Sequence, residues 1–540
     1  MFKKLVAATL SVVLAAGLFA GCQKKESGIS GQTISVTIGS EPKTIDPTLN
    51  NAVDGATIII HTFEGLTKLD KEGKVIPGIA KSWKMEDEGK KFVFKLRDAV
   101  WSDGQPVKAQ DFVYSWRRAV DPEVGAEYAY QLYYIKNGEA INMGEKPLEE
   151  LGVKAIDDKT LEVTLEAPTA YFLEITSFPT LFPLREDVVS QDPEGWATKP
   201  ETFICNGPFV LKSWEHDSEI ILEKNEKYYD KDKIRPAAIK FALIGDDNAV
   251  LAAFRNDEVV FADSMPTEEI PALKNEGVLK IESQLGTYFY CFNTEKKPFD
   301  NPKVRKALAL AIDRQYIVEK ITKGNQIPAG AFVPYGVPDV DSDPDFRTKG
   351  KDYYDPSGKA YEANIAEAKK LLAEAGYPDG KDFPQVELTY NTEGGHKLIA
   401  EAIQEMWKKN LGITVKLSGQ EWKVFQQTRT DGNFQIARHG WLGDYVDPMT
   451  FLDMWTSNSG QNDARWKNAE FDKLVNIAKT TADRKKRMEA MHKAEDLLMS
   501  EMPVMPIYYY TDLYLIKPTL KDFYGSPLGF KYFMYSYIEE

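Results

Sequence analysis

Residues 301–312 read Asn301-Pro-Lys-Val-Arg-Lys-Ala-Leu-Ala-Leu-Ala-Ile312. Asn at the N-cap with Pro in the first turn opens a helix. Val304, Ala307, Leu308, Ala311 and Ile312 then share its apolar face. A different period governs Thr33-Ile-Ser-Val-Thr-Ile38, Lys91-Phe-Val-Phe-Lys-Leu96 and Thr160-Leu-Glu-Val-Thr-Leu165. There, apolar and polar residues alternate, as a strand requires. Asn364 with Glu367 resembles a capping box, and the helix it opens carries Ile365, Ala368, Leu371 and Leu372. That helix stops at Gly376, with Pro378 beyond. Another helix spans about 483–501. Strands and helices interleave along the whole chain, so the class is α/β.

With 540 residues the chain exceeds one small domain, and two or three lobes are expected. No Gly/Ser-rich linker separates them. This points to lobes joined by several crossing strands.

The first 22 residues set the compartment. Lys3 and Lys4 precede an apolar run, Leu5 to Ala20, which ends in Leu18-Phe19-Ala20-Gly21-Cys22. A basic start, an apolar stretch and a small-residue exit make a secretory signal. Cys22 directly after Ala-Gly resembles the lipobox of bacterial lipoproteins, with Phe19 where Leu is usual. The alternative is an ordinary secretory signal whose cleavage site contains Cys22 by chance. The lipobox reading places the mature chain outside the cytoplasmic membrane, held to its outer face by acyl chains. Residues 23–32 are polar and read as a flexible tether.

Removing residues 1–21 removes Lys3, Lys4 and no acid, which takes the formal charge from −15 to −17. An acidic chain is a poor match for nucleic acid, which needs clustered Lys and Arg. Beyond the signal no apolar stretch approaches a membrane span. Cys205 and Cys291 remain after Cys22. They allow one disulfide, but two unpaired buried thiols are the favoured reading.

Familiar catalytic signatures are missing. Only five histidines occur, and HExxH, GxSxG, GxxxxGK[ST] and GxGxxG are all absent. No cofactor or metal is expected. Aromatic runs at Tyr288-Phe289-Tyr290 and Tyr508-Tyr509-Tyr510 suggest strands with one face in the core and the other toward a cleft. Arg438-His-Gly-Trp-Leu-Gly-Asp-Tyr445 combines a cation, aromatics and a carboxylate in a Gly-containing stretch, where backbone can approach a ligand closely. Read on its own, Asp444 could equally be a turn residue paired with Arg438 at the surface.

Several segments together resemble one family. They are Gly39-Ser-Glu-Pro42 with Ile45-Asp-Pro47, Phe63-Glu-Gly-Leu66, Trp101-Ser-Asp-Gly104 and Asp111-Phe-Val-Tyr-Ser-Trp116. Asn206-Gly-Pro-Phe209, Asp313-Arg314 and Trp441 to Pro448 extend the match over nearly the whole mature chain. The chain resembles the oligopeptide-binding lipoproteins of peptide ABC importers, in extracellular solute-binding protein family 5. The resemblance implies a class II periplasmic-binding-protein-like fold of three domains in two lobes, closing about a hinge. Domain I would comprise 23–63, 186–285 and 513–540, domain II 64–185, and domain III 286–512.

It also implies a monomeric receptor, not an enzyme. Short peptides would be captured between the lobes and delivered to the permease subunits of an importer. By match to family positions, Asp444 would hold the peptide's α-ammonium. Arg438, Arg429 and His396 would meet its carboxylate end, and Tyr128, Trp422, Trp441 and Tyr510 would line the cleft, with Tyr288 and Tyr290 added from the aromatic runs. By reference pKa values, ammonium and carboxylate are both charged at neutral pH. Some Gram-negative members carry a disulfide between positions that here are Gly286 and Leu442, so that staple is absent. Asn51, Thr430 and Cys291 stand where relatives carry a glutamate, a histidine and an acid. A less charged cleft, more tolerant of apolar side chains, is expected. The same scaffold also serves murein peptides, pheromones, haem, oligosaccharides and nickel complexes, and a secreted peptidase is a third reading.

Overall fold

The computed structural model describes residues 31–341 and 344–539. The signal peptide and Cys22 lie outside the described residues. In chain order the main strands are β1 (Thr33–Thr37), β2 (Ala80–Glu86), β3 (Lys91–Leu96), β4 (Val153–Asp157) and β5 (Thr160–Thr164). They continue as β6 (Phe209–Glu215), β7 (Glu219–Lys224), β8 (Ala238–Ala242), β9 (Phe261–Ala262) and β10 (Leu279–Phe292). The last are β11 (Val386–Asn391), β12 (Val415–Gln420), β13 (Ile436–Leu442) and β14 (Val504–Ile516). The helices needed below are α1 (Val53–Thr62), α2 (Ala109–Val120), α3 (Pro302–Leu310), α4 (Tyr361–Glu374), α5 (His396–Leu411), α6 (Trp422–Thr430) and α7 (Arg484–Glu501).

One large mixed sheet dominates, in the order β12-β11-β13-β10-β14-β9-β1-β8-β7-β6. A separate antiparallel sheet, β2-β3-β5-β4, belongs to the segment 80–164. The two long strands β10 and β14 pair antiparallel and bind the two halves of the large sheet into one ladder. Their register slips between Ser283 and Thr287, and again between Tyr288 and Phe289. Extra residues in one strand bend and twist a ladder locally.

Parallel strands need a crossover. Here β11 runs through α5 into parallel β12, and β12 runs through α6 into β13, on the other side of β11. The chain direction across the sheet therefore reverses at β11. In open α/β sheets ligands bind beside such a reversal, past the carboxyl ends of the strands. His396 and Trp422, the first residues of α5 and α6, fall there.

Most periodicity readings hold at residue level. Asn301 caps α3, its side chain accepting from Lys303 N, and Asp483 caps α7. The Asn364 cap does not: α4 starts at Tyr361, fed by a 3-10 turn over Gly358–Ala360. Asn364 instead reaches back to the Asp355 carbonyl at 2.8 Å. Cys205 and Cys291 are both buried and unpaired. The ion pair between Arg118 of α2 and Asp46 is bidentate and buried, at 3.0 and 2.8 Å, and the Trp196 indole adds a third bond at 3.0 Å.

Candidate functional site

The strand β13 and the turn after it form the floor of a cavity of about 370 Å³, a size typical of ligand pockets. Its walls come from segments far apart in sequence, including Asn50–Asp54, Tyr128, Phe178, Glu393, His396 and Trp422. Eight of the ten expected residues line it: Asp444, Arg438, Arg429, His396, Trp441, Trp422, Tyr128 and Tyr510. Tyr288 and Tyr290 do not. Both are fully buried. The Arg438 guanidinium lies over the Tyr288 ring at 5.0 Å, and His396 stacks on the same ring at 5.5 Å. Tyr288 therefore supports these two cavity groups from behind, and Tyr290 packs edge-on against Tyr288 at 6.0 Å.

Asp444 is buried at one end. Gln131 Nε2 donates to its Oδ2 at 2.8 Å, Tyr130 OH to Oδ2 at 3.3 Å and Tyr128 OH to Oδ1 at 3.3 Å. All three donors are neutral, and all come from a 3-10 turn more than 300 residues away. Burial pushes the Asp444 carboxyl up to about 8, and the Asp453 carboxylate adds to the rise, while the hydrogen bonds from Gln131, Tyr130 and Tyr128 oppose it. In the closed cleft without a cation, this carboxyl is mostly protonated at neutral pH. The alternative of a surface pair with Arg438 is also excluded by this burial and by Asp444's own partners.

The opposite end is cationic. Arg438 Nη2 donates to Tyr510 OH at 3.3 Å, and its Nε has no partner among the described residues. Arg429 Nε lies 3.8 Å from Asp463 Oδ2, an ion pair beyond hydrogen-bond reach that leaves this nitrogen without a hydrogen-bond partner among the described residues. His396 Nδ1 meets Tyr288 OH at 3.1 Å, and burial, with the Arg438 charge, keeps its imidazole well below the ordinary value. The unpartnered donors make this end a receptor for acceptor groups.

The cleft is shut. Trp422 Nε1 donates to Asp54 Oδ2 at 2.8 Å, Lys423 pairs with Glu41 at 2.8 Å, and Gln426 reaches Asn51 at 3.2 Å. Tyr134 OH donates to Asp453 at 2.9 Å. Asn51 donates to Glu127 at 2.6 Å, and Thr430 donates to the other oxygen at 3.3 Å. At the family positions noted above, Asn51 and Thr430 thus gather around a carboxylate supplied by Glu127. Cys291 lies inside the sheet, paired with Ala437, and takes no part in the cavity. Gly286 and Leu442 are register partners on β10 and β13. Sequence reading missed Tyr130, Gln131, Asp54 and Phe178. Tyr130 and Gln131 follow Tyr128 directly, and the polar-aromatic run Glu127–Gln131 was the available signal.

Residues 74–463 match the model of the bacterial extracellular solute-binding proteins, family 5 middle region. The oligopeptide-binding protein OppA of Bacillus subtilis is 40% identical over 539 residues, 98% of this chain and 97% of that protein. The Haemophilus influenzae OppA in complex with RPPGFSPFR superposes with a TM-score of 0.89 at 34% identity, covering 95% of this chain and 99% of that one. The Escherichia coli murein tripeptide binding protein MppA gives 0.87 at 35% identity, with 95% and 99% covered. MppA in its unliganded open form gives only 0.62 at 36% identity, with 94% and 98% covered. The drop with equal relatedness agrees with the shut cleft seen here.

Proposed function

This chain belongs to the bacterial extracellular solute-binding proteins, family 5, and from that premise we propose how its cleft holds a peptide. The chain is an extracytoplasmic receptor that binds oligopeptides for an ABC importer. In our reading the α-ammonium sits on Asp444 and the carboxylate end faces Arg438, Arg429 and His396. One observation carries this: a buried carboxyl held only by neutral donors, opposite two arginines, Arg438 and Arg429, whose Nε atoms have no hydrogen-bond partner among the described residues. A buried charge needs a countercharge, and a zwitterionic peptide supplies both. A neutral sugar would leave Asp444 without one. Backbone groups of the peptide would pair with exposed backbone, as in strand addition, so that side chains vary freely.

We assign domain II to 64–185, domain III to 286–512 and domain I to 23–63, 186–285 and 513–540. The register slip near residue 285 supports the hinge between I and III. Binding proceeds without turnover, and the receptor acts as a monomer. Native mass spectrometry of freshly purified protein and thermal melts test the reading. A peptide at 100 times its Kd should add about 2.7 kcal/mol of stability and raise Tm. No bound mass and no shift with any pool of short peptides would overturn it.

We further propose that the mature chain is anchored through lipidated Cys22 on the outer face of the cytoplasmic membrane. Cys22→Ser is expected to move the protein from the membrane fraction into the medium or periplasm. Unchanged membrane association would refute the anchor.

A further inference from the structure

The turn after β13 brings Asp444 to the cavity, but its next residue packs elsewhere. Tyr445 is buried and does not line the cavity. Its ring stacks on Tyr171, with centroids 4.7 Å apart and planes within 6°. The Arg487 guanidinium, on α7, lies over the Tyr171 ring at 5.0 Å. Asp447 of the same turn fixes that guanidinium with two bonds of 2.7 Å. Tyr171 thus meets an aromatic ring and a cation, the two partners its π face favours. Beside the stack, the hydroxyls of Tyr134 and Tyr445 meet at 3.1 Å, and Val446 N donates to Glu174 at 3.3 Å. In the domain assignment above, Tyr134, Tyr171 and Glu174 belong to domain II, and Tyr445, Val446 and Arg487 to domain III. None of the six lines the peptide cavity.

We infer that Tyr171, docked on Tyr445 and Arg487, is a closure latch that tightens the hold on every peptide by the same factor while touching none of them. The inference rests on the receptor reading and on these residues belonging to two domains that part when the cleft opens. Contacts present only in the closed form add to the free energy of closing whatever the cargo. Apparent affinity scales with the population of the competent state, so the latch acts on all peptides alike. Two neighbouring residues then divide the work: Asp444 reads the cargo's ammonium, and Tyr445 reads only whether the lobes have met.

Calorimetry and stopped-flow release with Ala-Ala-Ala, Ala-Phe-Ala and Ala-Lys-Ala test this on the full chain. Tyr171→Ala should weaken all three by one common factor, roughly tenfold, chiefly through faster release. Tyr171→Phe keeps the ring and should bind all three as the unmodified protein does. A merely structural role would lower the Tm of the empty variant and leave the affinities unchanged. Unchanged affinities in Tyr171→Ala, a loss that differs among the three peptides, or an equal loss in Tyr171→Phe overturns the latch and leaves the receptor standing. Failure of all three to bind the unmodified protein overturns both.

Discussion

Acetylating the amino group of a bound peptide is expected to weaken its binding by up to about 4 kcal/mol at pH 7, roughly 1,000-fold. The size follows from Asp444. In an open, hydrated cleft its carboxyl has the ordinary value of 3.8, and in the closed cleft without a countercharge it rises to about 8. A capped peptide leaves the carboxyl buried and unpaired, and the group escapes by taking a proton. At pH 7 that uptake is unfavourable by about three units, each worth about 1.4 kcal/mol. The penalty is therefore capped and depends on pH. At pH 5 it falls by two units, to little more than tenfold. Calorimetric titrations of free and acetylated forms of one peptide at pH 5 and 7 check both figures. Equal affinities at pH 7 would remove Asp444 from its role, and a gap that does not narrow at pH 5 would refute the proton escape.

Closure of the empty protein should become easier as pH falls from about 8 to 6.5. The closed form has the raised value, so proton binding favours it. That contribution is complete below 3.8 and is lost as pH rises through about 8. Between pH 6.5 and 8 the ratio of closed to open changes roughly 15-fold. Burial raises Asp54 and Glu127 as well, and both lie at closing contacts, so they act in the same direction. His396 acts in the opposite direction, because its depressed value favours closure as pH rises toward 6.5. The window above 6.5 therefore isolates the carboxyls. Small-angle scattering of the empty protein across this window is the measurement, with Asp444→Asn as control. The substitution should flatten most of the slope and populate the closed form at pH 8. A flat profile in the unmodified protein, or an identical slope in the variant, would refute the linkage. Peptide ammonium replaces the proton, so at neutral pH shutting is driven chiefly by cargo.

Much of the fold was legible because its signals are local. β1, β3, β5, α3 and α7 appear within a residue or two of their periodicity. The segments that carry the family resemblance turn out to be mostly framework. Asp46 holds Arg118, Trp101 donates to Asp111 at 3.0 Å, and Asn206 exchanges two bonds with the Glu64 backbone at 3.0 Å each. The start of α4 was misread because a 3-10 turn already satisfies the geometry ahead of Asn364. In the site, Asp444 and Arg438 were legible from one strand. Their setting was not, since Gln131 and Tyr128 reach Asp444 across more than 300 residues. Tyr288 and Tyr290 share a face with Arg438 through their register with Gly440 and Arg438. Alternation gave their face correctly, but it carries no information about what lies on top.

The ladder between β10 and β14 continues on both sides of its register slip. Backbone hydrogen bonds hold the strands against sliding, while the slip bends and twists the ladder locally. In the hinge proposed above, relative motion of the two halves would then be chiefly a rotation. A membrane partner that contacts both halves can then sense cargo as one angle, whatever the chemical variety of the peptides inside.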